Sequence, residues 1–347
     1  MTKKNVVIVD DSAVMRALVR KHLLDDGRFN VVGEAADPFE ARDVIKRTNP
    51  DVLTLDVEMP RMDGLSFLEK IMRLRPLPVV MFSTETHKGS VAAIEALSIG
   101  AIDCIGKPNA TAPDTILSLA ERVFIASNAR VQGRSTAVSK PPVDFRWNGR
   151  VVLIGASTGG VDALERLLSG YPENCPPTLI TQHMPATFLE SFSDRLSKNV
   201  APNVALARDS EELSPGMVRI APGGESHLGV VRRRDRYSCR IAPGEKASGH
   251  RPSVDMLFRS AVGFGRHCVA VQLTGMGRDG AQGMLELRTA GATTIAQDES
   301  SSVVYGMPRV AAELGGVRDV LPLEKIAAAV LRGTDTRHTN PSGEQRS

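Results

Sequence analysis

Apolar and polar positions follow one another along this chain in blocks. Five short apolar runs open it, Val6 to Val9, Val31 to Val32, Val52 to Leu55, Val79 to Phe82 and Ala101 to Ile105, and each precedes an amphipathic segment. Runs of this length bounded by polar residues read as strands buried on both faces, and their alternation with helical periods predicts five βα units on a doubly wound parallel sheet. The period fails from Ser127 to Asn148, where Gln132-Gly133-Arg134-Ser135-Thr136 and Ser139-Lys140-Pro141-Pro142 predict a linker, flexible first and then stiffened by its prolines. Apolar blocks resume at Val151-Val152-Leu153-Ile154, a buried strand that enters a Gly-rich turn. A helix follows, with Val161, Leu164, Leu167 and Leu168 at three- and four-residue spacing. Thr178 to Thr181 and Val269 to Leu273 predict two further strands, and Val230 to Ile241 a hairpin turning at Arg232-Arg233-Arg234-Asp235. The expected fold class is α/β with two doubly wound parallel-sheet domains, 1–126 and 149–333. A linker at 127–148 joins them, and a polar, disordered tail at 334–347 ends the chain.

Composition narrows the classes of function. A chain of 347 residues is long enough for two cores, and 42% hydrophobic residues fit a globular protein. Its 43 lysines and arginines are balanced by 40 acids, so charge gives no reason to expect nucleic acid as a partner. Cys104, Cys175, Cys239 and Cys268 lie far apart without a C-x-x-C pair, which argues against a zinc knuckle or a disulfide framework and for reduced thiols. The first apolar run stops at Asp10-Asp11, too short for the core of a signal peptide, and no later run has the length of a membrane span. A cytoplasmic protein without membrane insertion is expected.

Chemistry-bearing residues fall at the ends of the predicted strands. In the first domain these are Asp10 and Asp11, Asp56, Ser83 and Lys107, all projecting from one sheet edge. Three carboxylates converging on one point repel one another unless a cation sits among them, and hard oxygen ligands of this kind suit Mg²⁺. A lysine and a hydroxyl beside them suit the oxygens of a transferred phosphoryl group. With its Met59-Pro60-Arg61-Met62-Asp63-Gly64 loop, this part of the chain resembles a two-component receiver domain. The resemblance implies Asp56 as phosphoacceptor, Asp10, Asp11 and Asp56 as metal acids, Ser83 as hydroxyl switch and Lys107 as phosphate contact. Cys104 stands three residues before Lys107, where receivers often carry an aromatic residue, so the usual aromatic rotamer switch is missing there.

In the second domain Gly155-Ala156-Ser157-Thr158-Gly159 fits the G-x-S-x-G pattern, whose small residues let a chain turn sharply enough to expose a serine. A Walker-type phosphate cradle requires a lysine where Val161 stands, and Ala156-Ser157 breaks the dinucleotide spacing. The competing reading is a serine that caps the following helix. Two other strands deliver Gln182-His183-Met184-Pro185 and Thr274-Gly275-Met276-Gly277-Arg278-Asp279-Gly280 to the same edge. Ser157, His183 and Asp279 are the types a hydrolase needs: a hydroxyl attacks a carbonyl when an imidazole takes its proton and a carboxylate fixes that imidazole. Their order, Ser, His, Asp, departs from that of α/β-hydrolases. Asp255 is the rival carboxylate, and His227 and His250 lie in loops that could line the pocket. The glycines around Asp279 favour it, since backbone amides there can turn toward an oxyanion.

These three motifs, in this order behind a receiver, resemble those of the chemotaxis protein-glutamate methylesterase family known as CheB. The resemblance implies hydrolysis of glutamate γ-methyl esters on chemoreceptors with release of methanol and, in some members, deamidation of receptor glutamines. It assigns Ser157 as nucleophile, His183 as base, Asp279 as its orienter and Met276 to the oxyanion site, with Thr158 beside the nucleophile as a further oxyanion or pocket residue. Implied partners are the cytoplasmic domains of methylated chemoreceptors and a histidine kinase as phosphodonor, with Mg²⁺ for phosphorylation and no cofactor for ester hydrolysis. Two other classes compete: a receiver driving a DNA-binding output, against which no helix-turn-helix with a basic face is found, and a receiver fused to a non-catalytic binding module.

Overall fold

The computed structural model describes residues 2–59, 62–83, 87–107, 118–129, 131 and 144–338. The chain divides into two compact units, 1–135 and 136–347. Most of the expected linker and the end of the expected tail lie outside the described residues.

The first unit is a five-stranded sheet of order β2-β1-β3-β4-β5, all parallel, made of β1 (Lys4–Val9), β2 (Phe29–Ala35), β3 (Val52–Asp56), β4 (Val79–Ser83) and β5 (Asp103–Gly106). Helices α1 (Ala13–Asp26), α2 (Pro38–Thr48), α3 (Gly64–Leu74), α4 (His87–Ile99) and α5 (Leu119–Ser127) connect and follow the strands. Local chemistry fixes where helices begin: the side chains of Ser12, Asp37 and Asp63 accept hydrogen bonds from the first-turn N–H groups of α1, α2 and α3. The strand order reverses at β1, so the crevice between the ends of β1 and β3 is the switch point where doubly wound sheets bind ligands. Asp10 follows β1 and Asp56 closes β3.

The second unit is a seven-stranded parallel sheet of order β15-β14-β13-β6-β7-β10-β8, Rossmann-like in its winding. Its predicted strands are β6 (Val151–Ala156), β7 (Thr178–Gln182) and β13 (Cys268–Gln272), which are adjacent and fully buried. Four strands escaped prediction: β8 (Asn203–Leu206), β10 (Met217–Ile220), β14 (Thr293–Gln297) and β15 (Asp319–Leu321). The expected hairpin is β11 (Ser226–Arg233) with β12 (Arg236–Pro243), antiparallel, and β9 (Glu212–Leu213) adds a third strand to it. The helices are α6 (Gly160–Ser169), α7 (Ala186–Asn199), α8 (Val254–Ser260), α9 (Ala281–Thr289), α10 (Met307–Glu313) and α11 (Leu323–Thr334). The apolar stripe predicted for α6 is its buried face, with Val161, Leu164, Leu167 and Leu168 all in the core.

The unit's folded ends differ from the expected boundaries of 149 and 333. Trp147 bridges Asp335, Asn148 N–H donates to Thr334 O at 2.9 Å, and Thr336 N–H donates to Arg146 O at 2.9 Å. A 3-10 turn then covers Thr336–His338. Paired backbone groups thus hold both flanks to the unit, a signal that apolar periodicity does not carry. The four cysteines are free and buried, and among the described residues no helix is long and apolar enough to cross a membrane.

Candidate active site and candidate phosphoacceptor site

Three neighbouring strands carry the second unit's motifs, in the order β13, β6, β7. Backbone hydrogen bonds stitch their ends together: Ser157 N–H donates to Thr274 O at 3.0 Å, and His183 N–H to Ala156 O at 3.1 Å. The glycines answer to crowding. Gly159 has φ +78° at the start of α6, and a Cβ there would lie 2.6 Å from Val303 Cβ. A Cβ on Gly275 would lie 2.7 Å from that of Ser157, so this glycine is what lets the Thr274 turn close against the serine. Ser157 and Thr158 are half-buried, and the Thr158 carbonyl accepts from Thr274 Oγ1 at 3.0 Å. Met276 is half-buried in the same turn, its backbone packed against the position of Gly306.

His183 and Asp279 meet directly, Nε2 to Oδ2 at 2.8 Å. The other ring nitrogen, Nδ1, is buried and has no hydrogen-bond partner among the described residues. With Nε2 committed to the carboxylate, Nδ1 is the nitrogen left to serve a neighbouring hydroxyl, although no hydrogen bond joins it to Ser157 in the structure. Asp279 also accepts from Val254 N–H at 2.7 Å on Oδ2, and from Ser253 Oγ–H at 2.8 Å and Asp255 N–H at 3.0 Å on Oδ1. Burial works against its charge, but His183 and these donors outweigh burial and hold the carboxyl below its ordinary range.

The other candidates fall into place around this pair. His250 stacks on His183 with ring centroids 3.7 Å apart and planes 7° from parallel. Burial, with the charge of His183 next, lowers its pKa to about 4, so at neutral pH it is an uncharged plate against the His183 ring. His227 stands one layer back: its Nδ1 accepts from Ser253 N–H at 3.1 Å, which makes Nε2 the protonated nitrogen, donating to Glu245 O at 2.8 Å. Asp255 binds Gly283 N–H and Ser248 Oγ–H through its carboxylate rather than a histidine. The sequence reading passed over Ser253, and it also passed over Gln182, whose Nε2 donates to Ser157 O at 2.9 Å and to His183 O at 3.3 Å. The only local sign of Ser253 was a helix-capping residue before an apolar run, and that says nothing of what the helix start faces.

In the first unit, Lys107 Nζ reaches Asp56 Oδ2 at 2.7 Å and Asp10 Oδ2 at 3.5 Å. Ligand atoms of Asp10, Asp11 and Asp56 lie within 4.8 Å of one another. Asp10 and Asp56 are buried and Asp11 is exposed. Burial, and then the charge of Asp10, raises the pKa of Asp56 to about 6 against the opposing pull of Lys107. Burial also raises that of Asp10. One lysine facing two buried carboxylates leaves negative charge uncompensated, and with Asp11 at the mouth the donor set is all hard oxygen, which fits Mg²⁺. Ser83 is buried at the end of β4, and its carbonyl accepts from Lys107 N–H at 2.7 Å, which puts the two side by side. Cys104 is buried, and its carbonyl accepts from Arg122 at 3.1 Å.

Comparison with known proteins gives the same division. The profile of the CheB methylesterase family matches residues 152–330, and that of the response regulator receiver domain matches residues 6–121. The protein-glutamate methylesterase/protein-glutamine glutaminase 1 of Rhizobium johnstonii is 52% identical over 337 residues, covering 96% of this chain and 97% of that one. The protein of the same description from Caulobacter vibrioides is 52% identical over 339 residues, covering 95% and 98%. The crystal structure of the Thermotoga maritima CheB methylesterase catalytic domain superposes with a TM-score of 0.51 at 36% identity, covering 53% of this chain and 98% of that domain.

Proposed function

The chain belongs to the CheB methylesterase family, with a receiver domain ahead of the catalytic one, and from that premise we propose a phosphorylation-regulated serine hydrolase that demethylates glutamate γ-methyl esters of chemoreceptors. The observation that carries this reading is His183, half-buried and fixed to Asp279 through Nε2, while its buried Nδ1 lacks a partner among the described residues at the strand edge that presents Ser157. Ser157 Oγ adds to the ester carbonyl as its proton passes to His183 Nδ1, and Asp279 holds the imidazolium that forms. Collapse breaks the bond to the methoxy oxygen, which takes that proton and leaves as methanol. Water then attacks the acyl-serine with the same base, releasing the glutamate carboxylate and restoring Ser157. Glutamine deamidation follows the same course with ammonia as the leaving group. The Met276 backbone amide and Thr158 are assigned to the side of the site where the oxyanion develops.

In the receiver, Asp56 takes the phosphoryl group from a histidine kinase, and Asp10, Asp11 and Asp56 would hold Mg²⁺. When bound, the ion neutralises charge on the transferring oxygens. Lys107 and Ser83 are placed to contact the phosphoryl oxygens. This assignment puts the receiver at 1–126, a linker after it, and the protein in the cytoplasm.

A fluorophosphonate, whose phosphorus is attacked by an activated serine with loss of fluoride to leave a phosphonylated hydroxyl, tests the hydrolase reading. Stoichiometric labelling that disappears in Ser157→Ala, with methanol released from methylated receptor fragments by the wild type alone, is the expected result. No labelling would favour a non-catalytic binding module.

A further inference from the structure

Asp279 takes four hydrogen bonds, and only one comes from His183. The other three come from a single short segment, Ser253-Val254-Asp255, at the start of α8. Within it, Ser253 Oγ–H is the one side-chain donor, and the residue is fully buried. Ser253 is fixed in turn by His227, which is also buried. Ser253 N–H donates to Nδ1 at 3.1 Å while Nε2–H donates to Glu245 O at 2.8 Å, so both imidazole nitrogens are used and one tautomer is set. Ser253 Oγ also accepts from Met256 N–H, which caps α8 and holds the hydroxyl in place.

From this chain of contacts we infer that Ser253, anchored by His227, is a positioning residue that fixes the Asp279 carboxylate and sets how strongly it supports His183. The inference rests on the catalytic triad proposed above. Its physical content is a competition for the lone pairs of one carboxylate. A donor on Oδ1 disperses the negative charge of Asp279, and removing that donor concentrates the charge on the side that faces His183 Nε2. The imidazolium is then held more tightly, so a larger share of the base is protonated at a given pH. The carboxylate also loses the contact that fixes its plane, and the imidazole loses orientation with it. The groups facing this pair are few: Ser253, Val254 N–H and Asp255 N–H from α8, His250 stacked on His183, and Lys246 further along the loop that carries His250.

The test is the initial rate of fluorophosphonate labelling of the full chain, measured across pH for the wild type, Ser253→Ala, Ser253→Thr and Asp279→Asn. Losing a hydrogen bond to a charged group should slow Ser253→Ala by about tenfold or more. The acid limb of its profile should move to higher pH, and Ser253→Thr, which keeps the hydroxyl, should restore both rate and limb. A purely structural role would lower the folded fraction without moving the limb. Ser253→Gly supplies the same reading if Ser253→Ala fails to fold, because glycine is tolerated at the start of a helix. A folded Ser253→Ala or Ser253→Gly with the wild-type rate and limb overturns the inference. So does a slow Ser253→Thr, which would trace the loss to packing rather than to the hydroxyl. Wild-type labelling in Asp279→Asn would instead overturn the triad, whereas a slow Asp279→Asn beside a normal Ser253→Ala removes only the role given to Ser253.

Discussion

Asp56 and Asp279 occupy comparable places in their two sheets. Asp56 closes a parallel strand and Asp279 lies in the turn that follows one, each is 1% exposed, and each has one basic side chain within 2.8 Å. Yet one carboxyl is pushed up to about 6 and the other is held below its ordinary range. Burial penalises both, so burial does not decide the outcome. The number of neutral donors does: among the described residues Asp56 has Glu58 N–H at 3.2 Å besides Lys107, and it faces the charge of Asp10, whereas Asp279 has two backbone N–H groups and a hydroxyl. A carboxylate left short of donors keeps free lone pairs for a metal ion and for an incoming phosphorus. One that is fully coordinated is spent as a fixed charge, suited to steadying a histidine.

The largest expected effects come from removing each unit's reactive group. Ser157→Ala should abolish fluorophosphonate labelling and leave phosphorylation intact, and Asp56→Asn should abolish acetyl-phosphate labelling and leave the serine reactive. With the serine measured in the absence of a phosphodonor, a loss of the other unit's labelling in either variant would mean that the substitution reaches beyond the group it removes. Next in size, Asp279→Asn should slow serine labelling by roughly 10³- to 10⁴-fold, because an amide cannot stabilise the imidazolium. A loss below tenfold would demote Asp279 from its role.

The same Asp→Asn change should have opposite signs on stability in the two units. Asp279→Asn puts an NH₂ group among N–H and O–H donors, and should destabilise the catalytic unit by about 1–3 kcal/mol. Asp56→Asn relieves charge crowding, and should stabilise the receiver by about 1–2 kcal/mol when divalent metal is chelated. The chain's single tryptophan, Trp147, lies in the catalytic unit, so its fluorescence in urea follows that unit, while circular dichroism follows both. Adding Mg²⁺ should raise the wild-type receiver transition and leave that of Asp56→Asn in place. Equal signs for the two substitutions would refute the comparison.

The smallest effect is a pH dependence. The Asp279 carboxyl lies lower in the folded state than its unfolded value of about 3.9. Its stabilisation is therefore complete above that value and fades as pH falls through the folded one. The gap between the urea midpoints of the wild type and Asp279→Asn should shrink below about pH 4, and a constant gap would contradict the shift.

The sequence was most legible where apolar residues run without interruption. Val151 to Ile154 and Val79 to Phe82 read as buried strands, and the site candidates follow because chemistry in such sheets sits at strand ends. The missed strands lack that mark: β14 opens Thr-Thr, β8 opens with an exposed asparagine, and β15 is three residues long with two of them exposed. Their strand state comes from pairing with a sheet already formed. In the site, glycines flagged Ser157 and Asp279. What favours Asp279 over Asp255 is its contact with His183, a contact across 96 residues of chain that no local window contains. The part played by Ser253, the contact of His227 with it and the stacking of His250 were illegible for the same reason, since nothing in a local window records what lies across a loop.

The pairing of Trp147 with Asp335 has a consequence for engineering. The catalytic unit begins and ends at the same spot, so it behaves as a cassette whose entry and exit strands are already side by side. A short splice joining His338 to Asp144, with new termini opened at the Arg234-Asp235 turn of the hairpin, would give a circular permutant that keeps every strand of the seven-stranded sheet uncut. By the same logic the unit can be grafted into a surface loop of an unrelated host without stretching either junction.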